Sequence, residues 1–389
     1  MKIAVITLPL HTNYGGILQA YALKSVLESY GHQVSVVEPG YKMPLPLWWK
    51  APAIYLKRFL QRMVRGSAGP EVFREIRARK EFPILSVNTS QFVDTYISPV
   101  IVKDYDHICK NTGGAGNDFD AFVVGSDQVW RPKYFGDIKQ AFLHFAKNRD
   151  VLRFSYAASF GTDTLEYDYQ QLEECSALLR LFDGVSVRES SAVRICDEWL
   201  DCDRAVQVLD PVMLLDSSAY LKLVSADDTY QGSSESGGIV TYFLDCQDSG
   251  SAVRFVEKAL GSEVRDISVP RYSKDVPASQ RVVPPLEQWI ASIANAGFVI
   301  TDSFHVCVLS ILFHKPFFVI GNQARGLSRI NSLLGMFGLE SRLVQGIDPE
   351  DDGEGWLLDI DWESVETILN EKRRESFEFI ESCLSLRHS

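Results

Sequence analysis

The chain has 389 residues, which exceeds one ordinary core and suits two domains of common size. Apolar residues make up 46% and charged residues 23%, the composition of a soluble globular protein. The chain has 39 Lys and Arg against 51 Asp and Glu, a formal net charge of −12. This balance argues against a nucleic-acid binder, which needs a basic face to neutralise phosphates.

The first ten residues, MKIAVITLPL, form an apolar run that breaks at Pro9 without a small-residue cleavage site. We therefore predict a buried first strand rather than a signal peptide. No run of 18 apolar residues predicts a helix that spans a membrane. The seven cysteines are scattered and lack a C-x-x-C pair; they stand at 109, 175, 196, 202, 246, 307 and 383. This usage predicts the reducing cytoplasm, with no disulfide framework and no zinc site.

Strands and helices alternate in the first part of the chain. Apolar runs predict strands at 2–8 and 33–37, and apolar spacing predicts a helix over 17–30 that Gly31 ends. Residues 41–100 interrupt this alternation. It resumes with predicted strands at 121–124, 151–157, 184–187 and 205–208 and a helix at 168–182. Such units predict a parallel sheet with functional loops at the carboxyl ends of its strands.

A second α/β unit follows the polar, Gly- and Ser-rich stretch 227–238. Its predicted strands are 238–243, 298–301 and 316–321, and its predicted helices are 251–260, 288–295 and 306–313. We divide the chain into a domain at 1–215, a domain at 236–345 and a helical tail at 346–389. The predicted fold is α/β, with two Rossmann-like, doubly wound domains that face each other across a cleft, as in the GT-B arrangement.

Two segments near predicted strand ends suit ligand binding. NYGGILQAY contains paired glycines before a helix, which let a ligand approach the backbone and the helix N-terminus; a tight turn explains the same glycines. GSDQVW sets polar groups beside an indole, as sugar recognition requires, although a helix cap beside a half-buried Trp also fits. We assign acceptor binding to Asn13, Tyr14, Gly15, Gly16, Gln19, Ser126, Gln128 and Trp130.

Two further segments carry charged groups. SYAASFG is followed by SVRE, in which Arg188 suits a carboxylate or phosphate; a salt bridge to Glu189 or another acid explains it equally well. TDSFH places His305 at a strand-to-helix turn, beside the anion-binding start of a helix. A histidine on an apolar face is usually a core residue, but here the turn faces the expected cleft.

These motifs, with Lys315-Pro316 downstream of the histidine, together resemble the polysaccharide pyruvyl transferase family, in the family's order and over residues 13–316. The resemblance implies transfer of pyruvate from phosphoenolpyruvate to two hydroxyls of a sugar in a surface-polysaccharide precursor, as a ketal, with no metal or other cofactor. Two departures stand out. Val306 replaces the Gly that usually follows the motif histidine, where its bulk would narrow the anion site, and Ser303 replaces an Arg found in some branches.

The proposed chemistry requires a proton donor near neutral pH, cations for phosphate and carboxylate, and no nucleophilic side chain. His305 suits the acid and Asp127 the base that takes the proton of a sugar hydroxyl. We assign phosphoenolpyruvate binding to Arg188, Ser303, Lys315 and Arg329. Two alternatives stay open: a glycosyltransferase that uses a nucleotide sugar on the same scaffold, and a sugar-binding protein without catalysis.

Residues 50–80 are basic, with nine Lys and Arg against two Glu. Apolar residues 56, 59, 60 and 63 form one helical stripe opposite basic residues 58, 62 and 65, behind Trp48 and Trp49. We expect this helix to pack on the domain with its basic face in water. The alternative is contact with the inner face of a membrane, where a lipid-linked acceptor would wait.

Overall fold

The computed structural model describes residues 1–39, 45–66, 70–108, 119–225, 237–245, 249–269, 276–321, 327–344 and 359–386. The predicted domain limits, 215 and 236, flank residues 226–236, which lie outside the described ranges, as do the first residues of the predicted tail, 346–358. Cys109 and Cys246 also lie outside them. The other cysteines, at 175, 196, 202, 307 and 383, are buried free thiols.

The first sheet has seven parallel strands in the order β3-β2-β1-β4-β5-β6-β7. They are β1 (Lys2–Ile6), β2 (Gln33–Pro39), β3 (Val100–Val102), β4 (Ala121–Val124), β5 (Leu152–Ala158), β6 (Gly184–Val187) and β7 (Val206–Gln207). The order reverses between β1 and β4, which pair in parallel. In doubly wound sheets ligands bind in the crevice at the carboxyl ends of the two strands that flank this reversal.

Helices lie between and after these strands in the chain. They are α1 (Tyr14–Ser29), α2 (Ala51–Arg65), α3 (Arg74–Leu85), α4 (Val87–Phe92), α5 (Tyr169–Leu179), α6 (Ser190–Leu200) and α7 (Ser217–Ser225). All residues of β4, β5 and β6 are buried, as expected for parallel strands covered on both faces. Helices α2, α3 and α4 occupy the segment in which the alternation of strands and helices breaks off.

The second sheet has five parallel strands in the order β12-β11-β10-β8-β9. They are β8 (Ile239–Tyr242), β9 (Val264–Asp266), β10 (Phe298–Thr301), β11 (Phe317–Ile320) and β12 (Leu343–Val344). The accompanying helices are α8 (Ser249–Leu260), α9 (Leu286–Ala294), α10 (Phe304–Leu312), α11 (Ser328–Phe337) and α12 (Trp362–Ser385). This is the other common doubly wound order, so two Rossmann-like domains, as predicted, are confirmed.

Two groups of contacts join the domains near the carboxyl ends of β1 and β8. The Tyr14 ring stacks on the Trp289 ring at 4.9 Å, and the Tyr14 hydroxyl donates a hydrogen bond to the Pro284 carbonyl. At the last residue of α3, the Leu85 carbonyl accepts a hydrogen bond from the Val283 N–H at 2.9 Å. The inserted helices therefore rest on the second domain although the chain enters them from the first.

Helix α12 returns from the second domain to the first. Near its start Glu366 pairs with His314 at 2.7 Å, whereas further along the Ser376 hydroxyl accepts a hydrogen bond from the Leu209 N–H. Near its end Cys383 packs on Gly184 of β6, where an added Cβ would overlap the Cys383 sulfur. Within the described ranges, no helix combines the length and apolar character needed to cross a bilayer.

We predict that Gly184→Ala destabilises the protein by about 1–3 kcal/mol, because the new methyl group forces α12 away from β6. Urea unfolding measures this loss. Adding Cys383→Ala should restore part of it, since the overlapping sulfur is removed. Gly335→Ala in α11 is the matched control, because its methyl group meets ordinary contact distances and alanine favours a helix. Equal effects at the two glycines would contradict the prediction.

Candidate functional site

A small cavity of about 50 Å³ lies between the domains, where the carboxyl ends of β1, β4, β8 and β10 converge. Seven residues singled out in the sequence line it: Asn13, Gly15, Asp127, Gln128, Ser303, His305 and Arg329. They come from two domains and four separate segments of the chain. The topology therefore brings together residues that share only their position after a strand or at the start of a helix.

His305 stands in the first turn of α10, two residues after the N-cap Ser303. Its side chain is buried, and Nε2 lies 3.6 Å from Asp210 Oδ2 of the first domain. On the other side Nδ1 lies against Gly15, where a Cβ would overlap the ring. The imidazole thus fits between a carboxylate and a glycine, both supplied by the opposite domain.

Asp210 follows β7, and its Oδ2 faces a guanidinium, a hydroxyl and the His305 imidazole. Its Oδ2 accepts a hydrogen bond from Arg188 Nη1 at 2.8 Å and from the Ser126 hydroxyl at 3.1 Å. Burial alone would raise the pKa of Asp210, but the nearby His305 imidazole and the charge of Arg188 hold it below its ordinary value. Asp210 is therefore a carboxylate at neutral pH.

Arg188 is buried within this cluster and does not face the cavity. Besides Asp210, its guanidinium lies 3.7 Å from Asp127 Oδ1 and 4.0 Å from Glu189 Oε2. Three carboxylates therefore surround one guanidinium. Of the two sequence alternatives, the structure supports the salt bridge, with Asp210 as the nearest partner, rather than a direct ligand for an anion.

Arg329 lines the cavity from the first turn of α11. Burial lowers the pKa of its guanidinium to about 10, with a smaller contribution from the charge of Arg188. The first turn of α10 faces the same space. Its first intrahelical bond runs from the Cys307 N–H to the Ser303 carbonyl, so the N–H groups of residues 304–306 precede that bond. Together these groups form an anion-binding corner.

Asp127 adopts a left-handed backbone conformation, with φ of 74°. Its Oδ1 accepts a hydrogen bond from the Gln128 N–H, and its Oδ2 lies 3.5 Å from Asn13 Nδ2. A non-glycine residue in this region costs free energy, and such strain concentrates at functional sites. The carboxylate faces the cavity opposite His305.

Several residues predicted to bind the acceptor face the interior instead. The Trp130 indole is fully buried; it stacks on Phe142, and its Nε1 donates to the Ala141 carbonyl, so the prediction that it supports a sugar ring is wrong. The Gln19 amide donates to Thr7 Oγ1 and the Gly16 carbonyl. These side chains stabilise the loops beneath the site. The Ser126 hydroxyl has a similar role because it donates a hydrogen bond to Asp210. Tyr14 contacts the second domain instead of a ligand.

Gly16 stands close behind the cavity. A Cβ there would lie 3.0 Å from Asn13 Nδ2 and 3.4 Å from Asp127 Oδ2. Of the predicted acceptor residues, Asn13, Gly15 and Gln128 therefore line the cavity themselves. Gly16 instead leaves room for the side chains that do so.

Lys315 lies at the opposite edge of the second sheet from His305. Helix α10 carries the chain back across the sheet, and the Lys315 N–H donates to the Ser310 carbonyl before β11 begins. The predicted contact between Lys315 and an anion in this cavity is therefore wrong.

Val306 lies in α10, and its side chain is buried in the core and does not line the cavity. Its bulk therefore leaves the anion-binding corner open.

The sequence assigned no role to Asp210, Tyr242 or Trp289. Asp210 follows the predicted strand 205–208, and its position at the carboxyl end of that strand could have indicated a site residue. Tyr242 and Trp289 line the cavity through aromatic side chains that also form the domain contact. In the described part of the chain, no group of three His, Cys, Asp or Glu side chains is arranged to hold a metal ion.

A larger cavity of about 480 Å³ opens at the carboxyl ends of β1, β2 and β3. Lys103, Asp104, Tyr105, Tyr134 and Gln140 contribute to its lining. Its polar groups alternate with aromatic rings on the first-domain side of the molecule.

Glu38 in β2 is buried next to the Pro39 wall of this larger cavity. Burial raises the pKa of Glu38 to about 7, although its Oε2 accepts a hydrogen bond from the Leu10 N–H. The folded state therefore retains a proton on Glu38 at pH values where the unfolded chain has lost it.

We predict that Glu38 makes the protein less stable as pH rises. Between about pH 5 and about pH 7.5 the folded state binds the extra proton, so the unfolding free energy falls by about 2 kcal/mol through this group. Glu38→Gln should remove that part of the fall, because its amide does not titrate. Urea unfolding of both proteins at the two pH values measures the difference, and parallel pH profiles would refute it.

Comparison with known proteins places this geometry in a family. A UDP-N-acetylglucosamine 2-epimerase from Rickettsia bellii is similar over 98% of this chain and 96% of its own, with 12% identity and a TM-score of 0.50. A UDP-glucosyltransferase from Polygonum tinctorium is similar over 100% and 98%, with 12% identity and a TM-score of 0.48. At such identity the likeness shows the fold alone, and no curated protein matches the sequence. The model of the family described as polysaccharide pyruvyl transferase matches residues 13–324, and the chain belongs to that family.

Proposed function

We propose that the chain transfers the pyruvyl group of phosphoenolpyruvate to two hydroxyls of a sugar in a surface-polysaccharide precursor, and that it acts in the cytoplasm. The observation that carries this proposal is the position of His305. It stands at the start of α10, beside Arg329, and contacts Asp210 and Gly15 of the other domain. Phosphoenolpyruvate carries a phosphate and a carboxylate and must be protonated at C3, so its site requires anion-binding groups beside an ionisable side chain.

The donor presents a phosphate and a carboxylate. In our proposal the first-turn N–H groups of α10 and the Ser303 hydroxyl hold one of them, and the Arg329 guanidinium holds the other. Arg188 acts indirectly, because its charge fixes Asp210 and Asp210 faces His305. Arg188 is thus a positioning residue, and Arg329 takes over the direct role first assigned to Arg188 and Lys315.

Ketal formation requires a proton on the C3 carbon of the donor, which makes C2 electrophilic. With Nε2 of His305 facing Asp210, Nδ1 is the ring nitrogen that remains to deliver that proton. Asp127 takes the proton of the first sugar hydroxyl as its oxygen bonds to C2. Phosphate then leaves, and the second hydroxyl closes the ketal, its proton leaving with the phosphate.

The acceptor reaches Asp127 from the first-domain side. The larger cavity at the ends of β1, β2 and β3 offers the half-exposed Tyr134 ring for the apolar face of a sugar, with Lys103 and Gln140 as hydrogen-bond donors. We assign this space to the sugar in place of the buried Trp130.

Phosphoenolpyruvate should raise the melting temperature, and uridine or cytidine diphosphate should not. Ligand at about a hundred times its dissociation constant adds about 2.7 kcal/mol to the unfolding free energy. For a chain of this size that is a shift of about 3 °C. Differential scanning fluorimetry measures it. A shift with a nucleotide and none with phosphoenolpyruvate would instead support a glycosyltransferase, and a shift with neither ligand would leave a sugar-binding protein.

His305→Gln should lower turnover by about 10²–10⁴ and leave phosphoenolpyruvate binding largely intact, because glutamine keeps one hydrogen bond but does not donate a proton near neutral pH. Single-turnover release of phosphate measures the rate, and the thermal shift measures binding. Arg329→Gln should show the reverse pattern, with binding lost first. Lys315→Gln is the matched control and should change neither quantity, since it lies at the far edge of the sheet. Near-normal turnover in His305→Gln would remove His305 from the mechanism.

A further inference from the structure

Helix α2 turns its apolar side to solvent. Leu56, Phe59, Leu60, Met63 and Val64 are all exposed, Met63 to 70% and Val64 to 86% of their surface. None of the fifteen residues of α2 is buried. At helical spacing these five side chains form one continuous stripe, which a helix of a globular protein normally packs against its core.

Contacts on the opposite side of α2 fix this orientation. Arg58 makes two hydrogen bonds to the Glu75 carboxylate of α3, at 2.8 and 2.7 Å. The Tyr55 ring packs edge-on against the Phe73 ring at 4.9 Å. The expectation that the apolar stripe packs on the domain is therefore wrong. The side of α2 that packs on the protein carries Arg58 and Tyr55 instead.

The flanks of the stripe carry aromatic and basic groups. Trp48 and Trp49, just before the helix, are exposed, Trp48 to 81%. The sequence from residue 39 to residue 70 contains no Asp or Glu. Of its basic residues, Lys50 and Lys57 flank the stripe, whereas Arg62 and Arg65 lie toward the opposite side of the helix. This local charge is opposite in sign to the net charge of −12 of the whole chain.

We propose that α2 and the two tryptophans before it form a membrane-contact surface that lies in the headgroup region of a bilayer containing anionic lipid. The stripe enters the acyl boundary, the tryptophans lie at headgroup level, and the basic flanks attract anionic headgroups. A second copy of the chain fits this surface less well, because a symmetric pair would bring two sets of basic flanks together. The inference does not depend on the identity of the donor or the acceptor.

The position of α2 gives this surface a defined relation to the cleft. Helix α3, on which α2 rests, contacts the second domain through the Glu81–Arg281 ion pair and the first through the ring contact of Phe82 with His11. His11 stands two residues before Asn13, which lines the cavity between the domains. A bilayer in contact with α2 therefore lies on the side of the molecule where α3 bridges the two domains.

Flotation with vesicles tests the proposal on the full-length protein. We expect binding to vesicles of phosphatidylcholine with about one third phosphatidylglycerol, and at least tenfold weaker binding to phosphatidylcholine alone or at about 1 M salt. The Leu60→Gln/Met63→Gln variant should bind the anionic vesicles at least about tenfold more weakly than the wild type. The same loss is expected for Trp48→Ser/Trp49→Ser.

Two controls make the result decisive. Trp199→Gln removes an exposed apolar side chain from α6 of the first domain and should leave vesicle binding unchanged. Melting temperatures of all variants should match the wild type, because the changed side chains have no core contacts to lose. No flotation of the wild type at low salt would overturn the proposal. So would equal binding by the Leu60→Gln/Met63→Gln variant, or a dimer in solution that this variant abolishes.

Discussion

The buried carboxylate of Asp210 is the interaction on which the arrangement of the site depends. An ionised group without a partner in the interior costs several kcal/mol, so Asp210 requires cations within reach. Arg188 supplies one from the end of β6, and the His305 imidazole approaches the same carboxylate from the second domain. The buried Asp210 carboxylate therefore contacts groups from both domains. Its position fixes the His305 imidazole relative to the first sheet.

Parallel topology explains why so many distant segments meet here. Every strand of both described sheets runs in one direction within its sheet, so the segments that leave the strands collect at one edge. The two edges face each other, and the loop after β4 and the turn after β10 approach across the gap. A small residue then decides how closely they approach, because Gly15 has no side chain where the His305 ring lies.

The fold class and the positions of the site motifs could be predicted from sequence, because buried parallel strands are plain apolar runs with polar residues at their ends. The direction of individual side chains could not. The left-handed turn at Asp127 redirects the chain, so the acid faces the cavity while Trp130, three residues later, enters the core. The outward turn of α2 depends on Glu75, seventeen residues from its partner Arg58, and no local pattern reveals that pairing.

The return of α12 to the first domain has a consequence for synthesis of the chain. The outer surface of β5 and β6 is covered by side chains near the end of α12, such as Phe379 and Cys383. A domain normally folds as a unit while the ribosome still makes the next one. Here the first sheet keeps part of an apolar face uncovered until α12 has left the ribosome, so this face stays exposed throughout the translation of the second domain.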